Sequence, residues 1–199
     1  EAATFSLLSA SIDNAAAVTA VPGLTINANG TWSFDPTNAA YNALAAGDTQ
    51  TIDVTYQVAD ADGLTANNTF SITVNGTNDD PSLTAAPVDL ANATEDTEYT
   101  ITVAQLLTGF SDADASDVLT IQGLSAFLKD DDGLLTDESA GSFAKQLDAE
   151  GNTTGYIFKP FKDVNGEIGL QYVIADGNGN GLVHTLNLEI EAVNDGPQL

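Results

Sequence analysis

Apolar and polar residues alternate with period two in four runs of the chain. Val54, Tyr56 and Val58 are answered by Phe70, Ile72 and Val74, and Leu170, Tyr172 and Ile174 by Leu186, Leu188 and Ile190. Alternation of this kind puts each apolar set on one face of a strand, so each pair of runs predicts a β-hairpin that closes a two-layer fold. The two hairpins are copies of one another. Ile52 to Pro81 and Ile168 to Pro197 align without a gap at an offset of 116 residues (168 − 52), with Tyr56/Tyr172, Ala59/Ala175, Asp60/Asp176, Asn78/Asn194, Asp79/Asp195 and Pro81/Pro197 identical. An internal duplication of this period in 199 residues predicts an all-β chain of two tandem sandwich domains.

The remaining elements follow from local chemistry. Ala3 to Leu8 reads as a short strand, and Leu24 to Phe34 as a hairpin turning on Asn29 and Gly30, where positive φ is expected, with Trp32 and Phe34 on one face. Asn38 to Leu44 reads as a helical turn, and Gly76 to Pro81 as a linker. Beyond it, Tyr99 to Val103 is a strand, Ala104 to Leu107 a helical turn and Leu119 to Leu124 a strand. Tyr156, Phe158 and Pro160 echo Trp32, Phe34 and Pro36. The boundaries predicted are 1–80 and 81–199, the second domain carrying an insertion at about 125–141 with no counterpart upstream. Matching Thr4, Phe5 and Ser6 to Val118, Leu119 and Thr120 leaves Ser82 to Asp114 without an upstream equivalent. Domain one is therefore expected to be incomplete at its N-terminal side, its sheet edge either open or completed by Ile12 to Val21, by a neighbouring molecule or by residues upstream of Glu1.

Charge changes the picture most. Four basic against 29 acidic residues give a net charge of −25, which argues against nucleic acid and anionic lipid as partners. There is no cysteine to carry disulfide or thiol chemistry. No apolar run approaches the roughly 20 residues that span a membrane, so no direct membrane insertion is expected. Glu1 does not open a signal peptide, and the chain reads as an internal segment of a longer protein. His184 is the only histidine and aligns with Asn68 in the last strand of the hairpin, where an exposed polar residue is expected. Triad and zinc-hydrolase chemistry thus has almost nothing to be built from. Acid pairs for glycoside hydrolysis are numerically available, but no sequence signal favours them.

Calcium takes six to eight oxygen ligands from carboxylates, amides, carbonyls and water, and short acidic runs in loops supply them. Four places qualify. Asp112, Asp114 and Asp117 stand in SDADASD; Asp60 with Asp62, and Asp176 with Asn178, occupy hairpin turns; Asn78 with Asp79 and Asp80, and Asn194 with Asp195, lie at domain exits; Glu95 and Asp96 precede the first strand of domain two. The competing explanation is that Asp, Asn and Gly dominate turns for backbone reasons alone. The run DDDGLLTDE does not match an EF-hand loop, because Leu128 stands at the first-ligand position and the glutamate is wrongly spaced. Calcium is expected between the domains through Asn78 or Asp79 with Asp112 and Asp114, and at further sites involving Asp60, Glu95 and Asp176.

The segment GLTINANGTWSFDPTNAAYNALAAGDTQTIDVTYQVADADG followed by GTNDDP resembles the VCBS-type repeats of giant bacterial repeats-in-toxin (RTX) adhesins. ATEDTEYTITVAQLL, SDADASDVLTI, YIFKPFKDVNGEIGLQYVIADGNG and VNDGP resemble the cadherin-like repeats of the same proteins. This resemblance implies Ig/cadherin-like β-sandwiches, stiffened by calcium, in an extracellular adhesin at the bacterial cell surface, with neighbouring adhesin repeats as partners and a role in adhesion or biofilm formation. Asp112-Ala113-Asp114 is similar to the DAD motif of cadherins and Asn194-Asp195 to part of their linker motif, whereas RTX nonapeptide repeats are absent. Two functions of different class follow. One is a structural extender. The other is a ligand-binding module that captures a peptide or glycan of a host or other cell surface through the Ser125 to Gly141 insertion, a role frequent for loops at sandwich ends.

Overall fold

The computed structural model describes residues 3–179 and 181–194. Its contacts divide the chain into two compact units, Glu1–Asp79 with Ala113–Ser116, and Asp80–Asp112 with Asp117–Leu199. The fold is all-β, as the alternation predicts.

The first unit holds β1 (Thr4–Ile12), β2 (Leu24–Ile26), β3 (Trp32–Phe34), β4 (Thr49–Ala59) and β5 (Thr65–Asn75). One sheet has the order β1-β4-β5, and β2 pairs with β3. Alternate residues of the central strand, Ile52 and Val54, are fully buried and pack with Ala10, Val21, Tyr41 and Val74, while Leu24, Ile26 and Phe34 close over them from the β2–β3 pair. The helical turn is a single 3-10 turn, Ala39–Tyr41, capped by the Asn38 side chain. The Tyr41 hydroxyl donates to the Pro22 carbonyl at 2.7 Å. In the β2–β3 turn only Gly30 takes positive φ, at 87°. Asn29 instead accepts hydrogen bonds from the Thr31 amide and hydroxyl, which corrects the expectation that both residues adopt positive φ.

The second unit contains β6 (Ser82–Leu83), β7 (Ala93–Thr94), β8 (Tyr99–Thr102), α1 (Val103–Leu106), β9 (Phe110–Ser111), β10 (Thr120–Lys129), β11 (Leu135–Ser139), β12 (Gly141–Leu147), β13 (Thr153–Pro160), β14 (Gly166–Ala175) and β15 (Leu182–Glu191). A five-stranded sheet, β11-β10-β14-β15-β7, faces a three-stranded one, β12-β13-β8, across a core that includes Ile101, Leu106, Phe158, Leu170, Tyr172 and Leu188. β6 pairs with β9. Burial raises the Tyr172 hydroxyl pKa to about 12, and the hydroxyl donates to the Leu106 carbonyl at 2.9 Å.

Strand register shows how far the duplication reaches. β4 pairs with β5 as β14 pairs with β15, with Tyr56 opposite Asn68 and Tyr172 opposite His184. β1 pairs with β4 as β10 pairs with β14, and both pairs carry a bulge at the same point. Leu7 and Leu8 stand against Tyr56, and Gly123 and Leu124 against Tyr172. Thr4 therefore answers Thr120 and Phe5 answers Ile121, correcting the match of Thr4 to Val118. A slip of two residues keeps every side chain on its face, so alternation alone cannot detect it.

The same register corrects the insertion. Ser125 to Leu128 pair with β14 as Ser9 to Ile12 pair with β4, so the non-repeated segment begins at Lys129. It forms no cleft. β11 folds back on β10, Phe127 opposite Ser139 and Lys129 opposite Leu135. The Leu135 side chain takes the space that a Cβ on Gly169 would fill. In the first unit Ala10 and Val18 exchange backbone hydrogen bonds of 2.8 and 2.7 Å, so part of Ile12 to Val21 does lie beside β1.

Gly141 starts β12 where a Cβ would run into the Lys159 carbonyl and the Phe158 ring. Gly141→Ala is expected to destabilise the second unit by about 1–3 kcal/mol, since backbone and a buried ring cannot both yield. Amide exchange of β13 under mild urea measures it, and unchanged protection would refute the close approach.

Candidate metal centre

The acidic residues singled out by sequence sort into three environments. The first is the hairpin turn. Asp60 accepts from the amides of Asp62 and Leu64 at 3.0 and 2.9 Å, and Gly63 takes φ of 84°. Asp130 does the same with Asp132 and Leu134 at 3.1 and 2.8 Å, and Asp148 with Glu150 and Asn152 at 3.0 and 2.8 Å. Hydrogen bonds led by the Asn152 side chain hold the Asp148 carboxyl below its usual range. This recurring D-x-D/E-G-x turn gives Asp60 and Asp62 a backbone task, as the turn explanation anticipates.

The second environment is a buried carboxylate satisfied by protein donors. Glu95 is 5% exposed; the Val193 amide donates to its Oε1 at 2.5 Å and the Asn165 amide to its Oε2 at 3.2 Å. Glu95 also donates its own amide to the Glu191 carbonyl, which extends the parallel pairing of β7 with β15. Asp96 is exposed with φ of 58°, and Asn194 is exposed. Asp195 lies outside the described residues.

The third environment splits the SDADASD loop. Asp114, only 2% exposed, belongs to the first unit, where its Oδ2 accepts the Asp79 amide at 2.9 Å. The Asn78 side-chain amide donates to the Asp79 carbonyl. Asp112 and Asp117 instead converge with Asp176 inside the second unit, one carboxylate oxygen of each lying within 4.8 Å of the others. Among the described residues this is the one set of three potential metal-ligating side chains so close together. Asp112 directly follows β9, Asp176 directly follows β14, and Asp117 stands three residues before β10. Asp176 Oδ1 accepts from the amides of Asn178 and Gly179 at 2.7 and 2.9 Å, and Asn178 Nδ2 donates to Asp117 Oδ2 at 3.2 Å. All four residues are legible as candidates in the sequence. Their meeting is not, because it depends on β9, β14 and the approach to β10 ending side by side.

The donor set fits a hard cation. All three carboxylates offer oxygen, and each pair at this spacing repels by roughly 3–4 kcal/mol at an effective dielectric of about 20. The ion-paired lysines are engaged elsewhere, Lys129 with Glu167 and Lys162 with Asp163.

His184 is not the exposed residue expected from its alignment with Asn68. It is half-buried between Phe110 and Tyr172, with ring centroids at 4.9 and 5.7 Å, and its Nε2 has no hydrogen-bond partner among the described residues. β9 brings Phe110 over this position, which no pattern within the hairpin announces. Desolvation lowers the His184 pKa in the folded chain, so the unfolded chain binds the proton more readily and stability falls as pH drops from about 6.5. Thermal melts of wild type and His184→Asn between pH 5 and pH 8 are expected to show this loss in wild type only. Parallel profiles would contradict it.

A family model described as a cadherin-like domain matches residues 77–191, and one described as a cadherin-like beta sandwich domain matches residues 11–112. Among solved structures, the human desmocollin-1 ectodomain is similar at a TM-score of 0.39 and 13% identity over 99% of this chain. The chain spans 36% of the length of that ectodomain. No curated protein matches the chain. Among the described residues no helix is long and apolar enough to cross a membrane.

Proposed function

Because the chain belongs to the cadherin-like domain family, whose members are typically non-enzymatic modules of adhesion proteins, we propose that it is a calcium-binding segment of an extracellular bacterial surface adhesin. The observation that carries this reading is the convergence of Asp112, Asp117 and Asp176 in the second unit. These three residues would hold the ion, with Asn178 at their side, and the cation would supply the positive charge that offsets their repulsion. The function follows from stiffness. An ion shared by the ends of three elements would make the folded state more stable and less extensible, as a spacer in an adhesin requires. Neighbouring adhesin repeats are the partners this role calls for.

The alternative, capture of a peptide or glycan, would use the insertion, in which β11 is an edge strand laid on β10 with Leu135 seated over Gly169. The test of the calcium reading is a titration of the chelator-treated chain with calcium. Saturable uptake that depends on Asp176 supports it, and absence of uptake refutes it.

A further inference from the structure

The chain's four basic residues are all lysines, and three of them are exposed. Lys129, the last residue of β10, is the exception, with a side chain only 12% exposed. Its Nζ donates to Glu167 Oε1 on β14 at 2.5 Å and to Asn187 Oδ1 on β15 at 2.8 Å, so the side chain crosses β14, the strand between. The register leaves room for that crossing. Phe127, Gly169 and Asn187 stand in one row across β10, β14 and β15, which puts a glycine beside the path from lysine to asparagine. Leu135, opposite Lys129 in β11, covers this glycine where a Cβ would be. Ile168 and Leu188 are buried in the core, so Glu167 and Asn187, one residue away in each strand, belong to the other face of the sheet.

The duplication does not account for this trio. At the offset of 116 residues its equivalents in the first unit are Asp13, Thr51 and Ser71, where the Asp13 side chain accepts the Thr51 amide. An ion pair needs only the lysine and the glutamate. The carboxamide on the amine's other side completes a different set: a nucleophile, an acyl group with ammonia as its leaving group, and a carboxylate to move protons, all within hydrogen-bond reach. Strands fixed in register hold the reacting groups together, which replaces a bimolecular encounter by an intramolecular one.

We propose that the second unit forms its own isopeptide bond, an amide joining Lys129 Nζ to Asn187 Cγ, with Glu167 as the base. Glu167 takes a proton from the ammonium, and the free amine attacks Cγ. The bond from Cγ to Nδ2 breaks as the new bond to Nζ is completed. Of the three ammonium protons one stays on the new amide nitrogen, and Glu167 carries two to Nδ2, which leaves as ammonium. Atoms and charge balance with no oxidant or co-reactant. Glu167, with a side chain 49% exposed, leaves the product a way out to water. The bond ties β10 to β15 across β14 in a chain without cysteine, and the covalent loop it closes constrains the unfolded chain as a disulfide does. It does not rest on the calcium reading.

The test is the intact mass of the folded, chelator-treated whole chain, followed until it no longer changes. The expected mass is that of the sequence less one ammonia. Lys129→Arg, Asn187→Ala and Glu167→Gln should each keep the full mass. Trypsin should leave the wild-type chain uncut at Lys129 and yield one fragment in which the piece ending at Lys145 is joined to the piece beginning at Asp163. This joined fragment decides the matter in the wild-type chain even where a variant fails to fold. It also separates the isopeptide from succinimide formation at an asparagine followed by glycine, which expels ammonia without joining two pieces. A folded wild-type chain of full mass overturns the proposal and leaves Lys129 an ion pair only. A mass deficit that persists in Lys129→Arg, or that comes without the joined fragment, overturns it equally. A chain that carries the bond and takes up no calcium would refute the calcium reading alone.

Discussion

Leu106→Ala is expected to lower the stability of the second unit by about 2–5 kcal/mol, the cost of emptying a fully buried leucine site. Leu106 is 0% exposed and is the residue through which the short α1 closes the core over Tyr172. The strand β8 ends at Thr102, whose side chain accepts from the Gln105 amide while the Gln105 side chain accepts from the Thr102 amide, a reciprocal cap that fixes where the chain turns inward. Truncation leaves a cavity that this rigid turn cannot close. Tyr172→Phe should cost less, about 1–3 kcal/mol, by leaving the Leu106 carbonyl without its donor. Tyr56→Phe should be nearly neutral, because its hydroxyl donates to nothing among the described residues. Native-state amide exchange of β14 for the first two variants and of β4 for the third separates these effects. A Leu106→Ala chain that keeps wild-type protection in β14 would show that α1 does not seal the unit.

The hairpins were legible because each strand buries one face, and a buried face leaves a period-two record: Ile52 and Val54, like Ile168 and Leu170, are fully inside. Where one periodicity fits two registers, the record fails. Phe5 suits the place of Leu119 as well as that of Ile121, and only the bulges against Tyr56 and Tyr172 decide between them. The insertion begins at Lys129 rather than Ser125 because Ser125 to Leu128 hold the same pairing as Ser9 to Ile12. The start of α1 at Val103, one residue before the expected Ala104, is readable from Thr102 and Gln105 as a capping box. The metal candidates were legible as residue types, yet their grouping was not. Neighbours in sequence, Asp112 and Asp114, belong to different clusters, whereas Asp112 and Asp176 meet across 64 positions (176 − 112). The half-buried place of His184 is illegible in the sequence for the same reason, since Phe110 reaches it from a distant part of the chain.

Calcium should raise the melting temperature of the chain substantially. An ion that binds the folded form alone stabilises by RT ln(1 + [L]/Kd), about 2.7 kcal/mol at a hundredfold excess over Kd. Extracellular modules bind calcium at about 10⁻⁴–10⁻³ M, so about 10 mM reaches that excess at the tight end of the range. For a unit of this size the shift is on the order of 10 °C. Part of any shift comes from screening of a net charge of −25, and sodium chloride at matched ionic strength isolates that part. Asp176→Asn should lose the calcium-specific share. A melt that responds equally to both salts would remove calcium from the account.

The most direct measurement is equilibrium dialysis of the chelator-treated chain against radioactive calcium, run in parallel on Asp176→Asn and Asp60→Asn. Asp60 supplies the control, because it holds the equivalent turn without Asp112 or Asp117 beside it. The account predicts saturable binding at about 10⁻⁴–10⁻³ M that Asp176→Asn weakens roughly tenfold or more, the loss of about one charge-assisted contact, and that Asp60→Asn leaves intact. Binding that survives Asp176→Asn unchanged, or no binding in the wild-type chain, would contradict it.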